Sequence, residues 1–247
     1  MLAIIGGTGL TQLANLEVAR RQAVRTPYGE PSGPLTFGAI RGVPVIFLAR
    51  HGDGHTIPPH QVNYRANLWA LKEQGAREVV SVVSVGGIRL DLGPGKIVIP
   101  HQIIDYTWGR MSTFFESEAP VKHIDFTEPF AAGLRARLLA AARKSGEAAG
   151  DGAVYAATQG PRLETAAEID RLEKDGADIV GMTGMPEAAL AREIDLDYAA
   201  VAVVANHAAG RGASVRGVSL QQIEEVLKDA VGRVCRIIEA LVSVAAA

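Results

Sequence analysis

Short apolar runs alternate along most of the chain with segments of helical spacing. The apolar runs have the composition of buried strands, whereas the other segments repeat apolar residues at steps of three or four, as an amphipathic helix does. Strands are predicted at residues 2–5, 43–49, 78–85, 97–104, 153–157, 178–182 and 198–205. Helices are predicted at residues 62–74, 130–144, 164–174 and 186–193. Strands that alternate with helices in this way are typical of an α/β fold with a mostly central sheet.

The last predicted element is a long amphipathic helix that starts near residue 218. Its apolar positions again recur at steps of three or four residues: Leu220, Ile223, Leu227, Val231, Val234, Ile238 and Leu241. For most of its length, we interpret this stripe as a surface that covers the core. The sequence shows no internal repeat, low-complexity segment or linker.

Composition and charge narrow the class of protein. A chain of 247 residues fits one large domain or two small ones, and nothing in its composition marks a boundary between domains. Hydrophobic residues make up 48% of it, which is enough for a substantial core. The net charge of -2, with both signs mixed along the chain, disfavours a nucleic-acid surface, because such a surface needs a basic face.

The cysteine content and the apolar runs indicate the cellular compartment in which the protein is expected. Cys235 is the only cysteine, so no disulfide can form within the chain. The first ten residues lack the basic opening and the long apolar region of a signal peptide, and no apolar run reaches the length of a membrane span. We therefore expect a soluble, cytoplasmic protein without a membrane partner.

Three polar clusters between residues 158 and 206 lie where apolar runs meet loops or helices, and we expect a ligand site there. Glu164 offers a carboxylate acceptor, Asn206 an amide that donates and accepts, and Thr183 a hydroxyl. Met182 and Leu163 add apolar surface beside them. These groups suit a flat heteroaromatic ring with mixed hydrogen-bonding edges, such as a purine.

A glycine loop and three basic side chains follow two other predicted strands. The loop is GGTG at residues 6–9, where backbone N–H groups are able to approach an anion, although a simple tight turn explains it equally well. Arg50, His51 and His55 come at the end of the strand at residues 43–49. Single histidines are more often structural, but the clustering favours a cationic pocket for a dianion. Phosphate is the obvious candidate.

Four motifs, taken together, are more specific than any one of them. They are GGTG at residues 6–9, RHGDGHTIPPHQVNYRANLWALKEQG at 50–75, GPRLET at 160–165 and GMTGMPEAALARE at 181–193. In this order and over nearly the whole chain, they resemble the trimeric purine nucleoside phosphorylase and methylthioadenosine phosphorylase family. The resemblance implies a single nucleoside phosphorylase domain over residues 1–247, with a central mixed, partly barrel-like sheet flanked by helices.

The activity that this resemblance implies is reversible phosphorolysis of a nucleoside, in which phosphate attacks C1′ of the sugar and the purine leaves. Phosphate is then a co-substrate, and no cofactor is needed. The positions that match the family's phosphate site are Thr8, Arg50, His51, the backbone of Ser84, and Thr183, with His55 nearby. Val83 departs from the pattern, because adenosine-type members usually have a threonine there. One phosphate hydrogen bond is then lost or supplied by another group.

The positions that match the family's base site favour a 6-oxopurine. Adenine-type members resemble T-D-Y-D where residues 205–208 of this chain read A-N-H-A, and they have a serine in place of Glu164. A carboxylate accepts the N1–H of a 6-oxopurine, and the amide of Asn206 serves O6 and N7 above Ala208. Asn206 and Glu164 are also the expected catalytic residues, because they stabilise negative charge on the leaving purine.

On the sugar side, the chain is more similar to the methylthioadenosine branch. There, a 5′-methylthio group lies against apolar residues that match Leu220 and Ile223, and a histidine that matches His123 comes from the neighbouring subunit of a homotrimer. Base and sugar together imply conversion of S-methyl-5′-thioinosine and phosphate to hypoxanthine and S-methyl-5-thioribose 1-phosphate, a step of purine salvage. This combination resembles a bacterial branch that acts on methylthioinosine.

Other functions stay open at this point. A general phosphorylase of inosine and guanosine would need a partner for the 5′-hydroxyl, such as His207 or Arg216. Methylthioadenosine as the substrate is disfavoured by Asn206 and Ala208, and a non-catalytic nucleoside-binding protein is supported only by Val83. A nucleosidase that uses water would have little use for the basic cluster. The six histidines show no spacing that suits a closed metal site.

Overall fold

The computed structural model describes residues 1–116 and 121–245, which form a mixed sheet with helices on both faces. The described strands are β1 (Leu2–Gly6), β2 (Glu17–Gln22), β3 (Leu35–Ile40), β4 (Val43–Ala49), β5 (Glu78–Gly87), β6 (Ile97–Ile99), β7 (Gln102–Asp105), β8 (Ala149–Asp151), β9 (Val154–Ala157), β10 (Ile179–Gly181) and β11 (Asp197–His207). The described helices are α1 (Tyr64–Glu73), α2 (Ala132–Lys144), α3 (Ala166–Lys174), α4 (Gly184–Glu193) and α5 (Leu220–Ala245).

The middle of the sheet is parallel. β1 lies between β4 and β5, and β5 also pairs with β11 in parallel. The carboxyl ends of these four strands therefore meet at one edge, which is where α/β sheets bind ligands. β10 runs antiparallel to β5 but pairs with its last residues, Gly86 and Gly87, so that the end of β10 lies beside the same edge. The sheet branches at β5, with β10, β9 and β7 in one arm and β11, β6 and β8 in the other.

Alternate residues of the central strands point to opposite faces, and helices cover both. On one face, Ala3 and Ile5 of β1 belong to a buried cluster that includes Leu68 of α1 and Leu190 of α4. On the other face, Ile4 belongs to a second cluster, which α2 and α5 complete. The predicted α/β fold, with a central mixed sheet flanked by helices, is confirmed, and so is the role of the C-terminal helix as a cover for the core.

Some boundaries differ from the prediction. Residues 97–104 form two strands, β6 and β7, because the chain turns at Pro100, which has no N–H to donate to a ladder, and passes from β11 to β9. β2, β3 and β8 were not predicted. The side chains of β2 are exposed and mostly polar, so its sequence carries no strand alternation.

None of the helices within residues 1–116 and 121–245 combines the length and the apolar character needed to cross a bilayer.

Candidate active site

A cavity of about 340 Å³ lies at the shared edge of the central strands, a size typical of small-molecule sites. Its walls come from the ends of β1, β4, β5, β10 and β11 and from the start of α5. The predicted contacts that line it are Thr8, Arg50, His51, His55, Ser84, Leu163, Glu164, Met182, Thr183, Asn206, Ala208, Leu220 and Ile223. His123 is exposed in the single chain and lies outside the cavity wall, so its role, which needs a neighbouring subunit, stays a prediction.

The glycine loop after β1 packs closely against the sheet. A Cβ at Gly7 would lie 2.6 Å from the carbonyl oxygen of Val82 and 2.9 Å from Nη1 of Arg50, so a larger residue does not fit there. The loop also closes as a turn, in which the N–H of Leu10 donates to the carbonyl of Gly7 at 3.0 Å. The turn and the site are therefore compatible, because this tight turn leaves Thr8 exposed at the cavity wall.

Arg50, directly after β4, is fully buried and bound by protein groups. Its Nε and Nη2 donate to the two carboxylate oxygens of Glu187 at 2.7 and 2.9 Å. Nη2 also donates to Oγ of Ser81 at 2.6 Å, and Nη1 donates to the carbonyl of Val82 at 3.1 Å. These bonds use every N–H of the guanidinium except one on Nη1, which is the group that Arg50 is able to offer a ligand.

Glu187 completes a buried network behind Arg50. Its Oε1 also accepts the hydroxyls of Ser81 and Tyr198, at 2.7 and 2.8 Å. Burial opposes the charge of Arg50, but the adjacent carboxylate outweighs burial and raises the pKa of the guanidinium. Glu187 was not predicted from the sequence, although a glutamate within the apolar stretch after Pro186 is itself a signal, because buried carboxylates are nearly always paired.

The two histidines of the basic cluster favour their neutral forms. Their ring centroids lie 4.6 Å apart. Burial, followed by the charge of Arg50, lowers the pKa of His51 to about 4, and burial also lowers the pKa of His55. Nδ1 of His51 lies 2.8 Å from the carbonyl oxygen of Ile57, which only accepts, so Nδ1 carries the proton and Nε2 is an acceptor.

The structure adds a charge balance that the sequence did not show, and the binding of phosphate by this cluster stays a prediction. The three basic side chains meet as predicted, but the guanidinium charge is paired with Glu187 and the imidazoles are neutral near pH 7. The sequence could not indicate this, because the neutralising carboxylate lies 137 residues from Arg50. This part of the cavity thus offers hydrogen-bonding groups, of which Arg50 and His51 are buried and Thr8 and His55 are exposed.

Glu164 lies in the segment just before α3. The helix begins at Ala166 instead of residue 164, because Thr165 caps it and exchanges hydrogen bonds with Glu168. One carboxylate oxygen of Glu164 accepts the hydroxyl of Thr158 at 2.6 Å. The other oxygen has no hydrogen-bond partner among the described residues, and the side chain lines the cavity. Glu164 thus presents an acceptor whose position is held by Thr158.

Asn206 reaches the cavity from the end of β11. The register of β11 with β5 shifts between Val204 and Asn206, and such bulges change the direction of a side chain. Nδ2 of Asn206 donates to the carbonyl of His207 at 2.6 Å, which sets the orientation of the amide. One N–H and the amide oxygen are left for a ligand.

Thr183 lies at the N-terminus of α4 and lines the cavity. It occupies the cap position but makes no side-chain capping bond. Its N–H and that of Gly184 lie 3.3 Å from the hydroxyl of Tyr155, so this strand-to-helix turn is held from below. Thr183 and Thr8 therefore line the same cavity as Arg50 and His51.

Apolar side chains form much of the remaining wall: Val83, Val85, Leu163, Val180, Met182, Ala208, Val218, Leu220 and Ile223. Val83 is at the wall, where it presents no hydroxyl. Leu163 and Leu220, at 41% and 67% exposure, lie at the mouth. The cavity wall thus combines a carboxylate acceptor, an amide, hydroxyls and apolar side chains, two of which are exposed.

No group of three or more His, Cys, Asp or Glu side chains is placed to hold a metal ion in the part of the chain that the structure describes. The independence of the reaction from metals and cofactors stays a prediction.

The fold matches those of solved phosphorylase structures. The model of the Phosphorylase superfamily matches residues 1–243, and the chain belongs to this family. The predicted family is thereby confirmed, and so is the predicted enzyme class, a nucleoside phosphorylase that transfers a pentosyl group.

Individual relatives cover nearly all of the chain. A protein of Pseudomonas syringae pv. tomato named "Probable S-methyl-5'-thioinosine phosphorylase" is 55% identical over 233 residues, which are 94% of each chain. The 6-oxopurine nucleoside phosphorylase of Pyrococcus furiosus is 46% identical over 85% of this chain and 80% of its own. Methylthioadenosine phosphorylase from Schistosoma mansoni, solved in complex with adenine, has a TM-score of 0.94 at 33% identity, over 99% of this chain and 91% of that one.

Proposed function

We propose that this enzyme converts S-methyl-5′-thioinosine and phosphate to hypoxanthine and S-methyl-5-thioribose 1-phosphate. A phosphate oxygen attacks C1′ as the bond from C1′ to N9 breaks, and the proton of monohydrogen phosphate ends on the purine. The observation that carries the proposal is the pair Glu164 and Asn206, each with unused hydrogen-bonding atoms at the wall of one cavity. The relative from Pseudomonas syringae supports the same substrate.

The two polar side chains distinguish the base. The free oxygen of Glu164 accepts the N1–H of a 6-oxopurine, while the free N–H of Asn206 donates to N7 or O6. A 6-aminopurine has no hydrogen on N1, so its N1 would face the carboxylate as a second acceptor. Such a mismatch costs about 1–3 kcal/mol when buried. The hydrogen bond from Asn206 also stabilises the negative charge that develops on the purine as it leaves.

The hydroxyl-rich end suits phosphate as a nucleophile. The donors there are the hydroxyls of Thr8 and Thr183 and the remaining N–H of Arg50, with the backbone of Ser84 nearby. Nε2 of His51 accepts, so it pairs with the P–OH of monohydrogen phosphate. Because Glu187 already balances the charge of Arg50, this part of the cavity binds phosphate through directed hydrogen bonds more than through net charge.

The sugar end supports a second candidate. Leu220 and Ile223 suit a 5′-methylthio group, but the mouth is open at Leu220, so solvent is able to meet a 5′-hydroxyl there. A general 6-oxopurine nucleoside phosphorylase is therefore the alternative, and the relative from Pyrococcus furiosus supports it.

We further propose a cytoplasmic homotrimer that acts in purine salvage without a cofactor. His123 of the partner subunit would then cover the sugar at the open end. The family resemblance and the exposed apolar side chains of Leu163 and Leu220 at the mouth support this assembly.

The test compares initial rates of base release from methylthioinosine, methylthioadenosine, inosine and guanosine, each with and without phosphate. Fast, phosphate-dependent cleavage of methylthioinosine is expected. Equal rates for inosine would favour the general phosphorylase, and faster cleavage of methylthioadenosine would contradict the role of Glu164. Release that does not depend on phosphate would contradict the proposed phosphate site.

A further inference from the structure

Arg110 inserts its guanidinium between main-chain carbonyls that come from two segments of the site. Nη1 donates to the carbonyls of Met182 and Met185 at 2.8 and 2.6 Å. Nη2 donates to the carbonyl of Gln159 at 2.8 Å and lies 3.3 Å from that of Thr158. None of the described carboxylates forms an ion pair with Arg110. Nε also donates to Oε1 of Gln159 at 3.1 Å, and the guanidinium contacts Tyr64, with Nη1 3.3 Å from its hydroxyl. Arg110 is thus held by neutral oxygen atoms and not by a described carboxylate, which is an unusual use of arginine.

The bonded carbonyls lie where the sheet ends. β9 and β10 are parallel neighbours, and their last rung is the bond from the N–H of Thr158 to the carbonyl of Gly181 at 2.8 Å. Beyond this rung the two chains diverge toward Glu164 and Thr183, and no ladder joins them. Arg110 bridges them at this point, so it replaces the sheet bonds that stop there.

Both bridged segments carry groups of the proposed site. Thr158 holds the carboxylate of Glu164 through a hydrogen bond of 2.6 Å, and it belongs to the segment that Nη2 contacts. Met182 and Met185 lie on either side of Thr183. Met185 has non-helical backbone angles within α4, with φ -119° and ψ 141°, and its carbonyl accepts from Arg110. The separation between Glu164 and Met182 therefore depends on Arg110.

We propose that Arg110 is a positioning residue, which sets the spacing between the segment of Glu164 and the segment of Met182 and Thr183, and thereby the width of the base site. This inference rests on the proposed function. The planar guanidinium carries donors on three nitrogens and spans both segments, whereas the single ammonium of a lysine cannot. Arg110→Lys keeps the charge and removes the bridge.

Arg65 provides a matched control. It also holds the loop that carries Arg110, through the carbonyl of Thr113 at 3.2 Å and the carboxylate of Glu116 at 3.0 Å, but it contacts neither bridged segment. Arg65→Lys thus tests the anchoring of the loop alone. The experiment measures kcat/KM for methylthioinosine and the affinity for free hypoxanthine by calorimetry, in the wild type, R110K, R110M and R65K.

The expected result is a fall of about 10- to 100-fold in kcat/KM for R110K and R110M, because a misplacement of about 1 Å can cost about 100-fold in rate. Hypoxanthine affinity should fall with it, and R65K should resemble the wild type. Unchanged R110K kinetics and affinity, or an equal loss in R65K, would overturn the proposal. If R110M does not fold, R110K alone decides.

A double-mutant cycle separates positioning from general damage. If Arg110 acts through Glu164, then R110K should cost much less in the background of Glu164→Gln than in the wild type. Additive losses would overturn the proposal. The proposed function is tested separately, by phosphate-dependent base release in the wild type. The role of Arg110 is tested by hypoxanthine binding in R110K and the wild type, which needs no turnover.

Discussion

Arg50 and Glu187 are 137 residues apart in the sequence and form a two-bond ion pair with essentially no exposed surface. The pair joins the end of β4 to α4, so it connects two walls of the cavity below the proposed phosphate end. It also explains how a guanidinium is tolerated in the core, because Glu187 balances the charge and protein groups accept all but one of its N–H groups.

Glu187→Gln should be strongly destabilising. It leaves the buried guanidinium of Arg50 without a counter-charge, and breaking a buried pair in this way lowers the free energy of unfolding by about 3–5 kcal/mol. Urea denaturation measures the loss. Joint replacement, Arg50→Met with Glu187→Met, removes both charges and is expected to cost less than E187Q alone.

The control for this prediction is a surface pair. Glu78 and Arg137 also form an ion pair, but their side chains are 24% and 37% exposed. Glu78→Gln should therefore change the free energy of unfolding by less than about 1 kcal/mol. An E187Q loss as small as that of E78Q would show that Arg50 does not depend on its partner.

The stability of the fold should decrease on acidification because of His51. Its pKa is about 4 in the folded chain against 6.5 ordinarily, so between these values the unfolded chain binds more protons. The contribution of neutral His51 to the free energy of unfolding is therefore fully present above pH 6.5. It decreases as the pH falls from 6.5 to about 4 and does not change further below that. At about 1.4 kcal/mol per pKa unit, the loss is on the order of 3 kcal/mol.

Unfolding by urea at several pH values between 4 and 7 measures this slope. His51→Gln should flatten it, while His60→Gln, at an exposed position, should leave it unchanged. His55, whose pKa is also lowered by burial, adds a slope of the same sign that survives in H51Q. A slope in H51Q equal to that of the wild type would contradict the prediction.

The fold was predictable wherever one segment carries its own signal. β4 spans Val43–Ala49, as predicted from a continuous apolar run, and α2 and α5 follow their apolar spacing. β2 was missed because it lies at the edge of the sheet with exposed side chains and is held by its neighbour β3 instead of by burial. The break at Pro100 depends on which strands lie on either side, and that is a property of the folded chain.

The location of the site was predictable, but its electrostatics were not. Arg50 and Asn206 meet because the parallel strands β4 and β11 end at one edge, and the segment before α3 brings Glu164 to the same cavity. The charge balance of Arg50 depends on Glu187, and the bridge by Arg110 depends on the path of the loop after β7. Glu187 leaves only the signal of a glutamate in an apolar stretch, which does not name its partner, and the contacts of Arg110 leave no pattern in local sequence.

Glu164→Gln should shift the preference for the base. Thr158 would donate to the remaining amide oxygen, so the NH2 group would face the N1–H of a 6-oxopurine, donor against donor. At about 1–3 kcal/mol for such a mismatch, kcat/KM for methylthioinosine should fall by about 5- to 150-fold. Methylthioadenosine, whose N1 accepts, should lose less or gain.

The matched control is Glu168→Gln, four positions further along. Glu168 caps α3 and binds Arg162 instead of facing the main cavity. The ratio of the two rates should therefore stay at the wild-type value in E168Q. A ratio that does not move in E164Q would remove Glu164 from base recognition.

Gly7→Ala should damage both the fold and the phosphate end. The new Cβ would meet the main-chain carbonyl of Val82 at 2.6 Å, which cannot move without shifting β5, so the loop that carries Thr8 must move instead. We expect a loss of about 1–3 kcal/mol in the free energy of unfolding and a raised KM for phosphate. Gly133→Ala is the control, because a Cβ on that residue of α2 meets nothing within 4 Å and should be neutral or stabilising by up to about 1 kcal/mol. Equal stability and equal phosphate KM in G7A and the wild type would show that the loop is not held against β5.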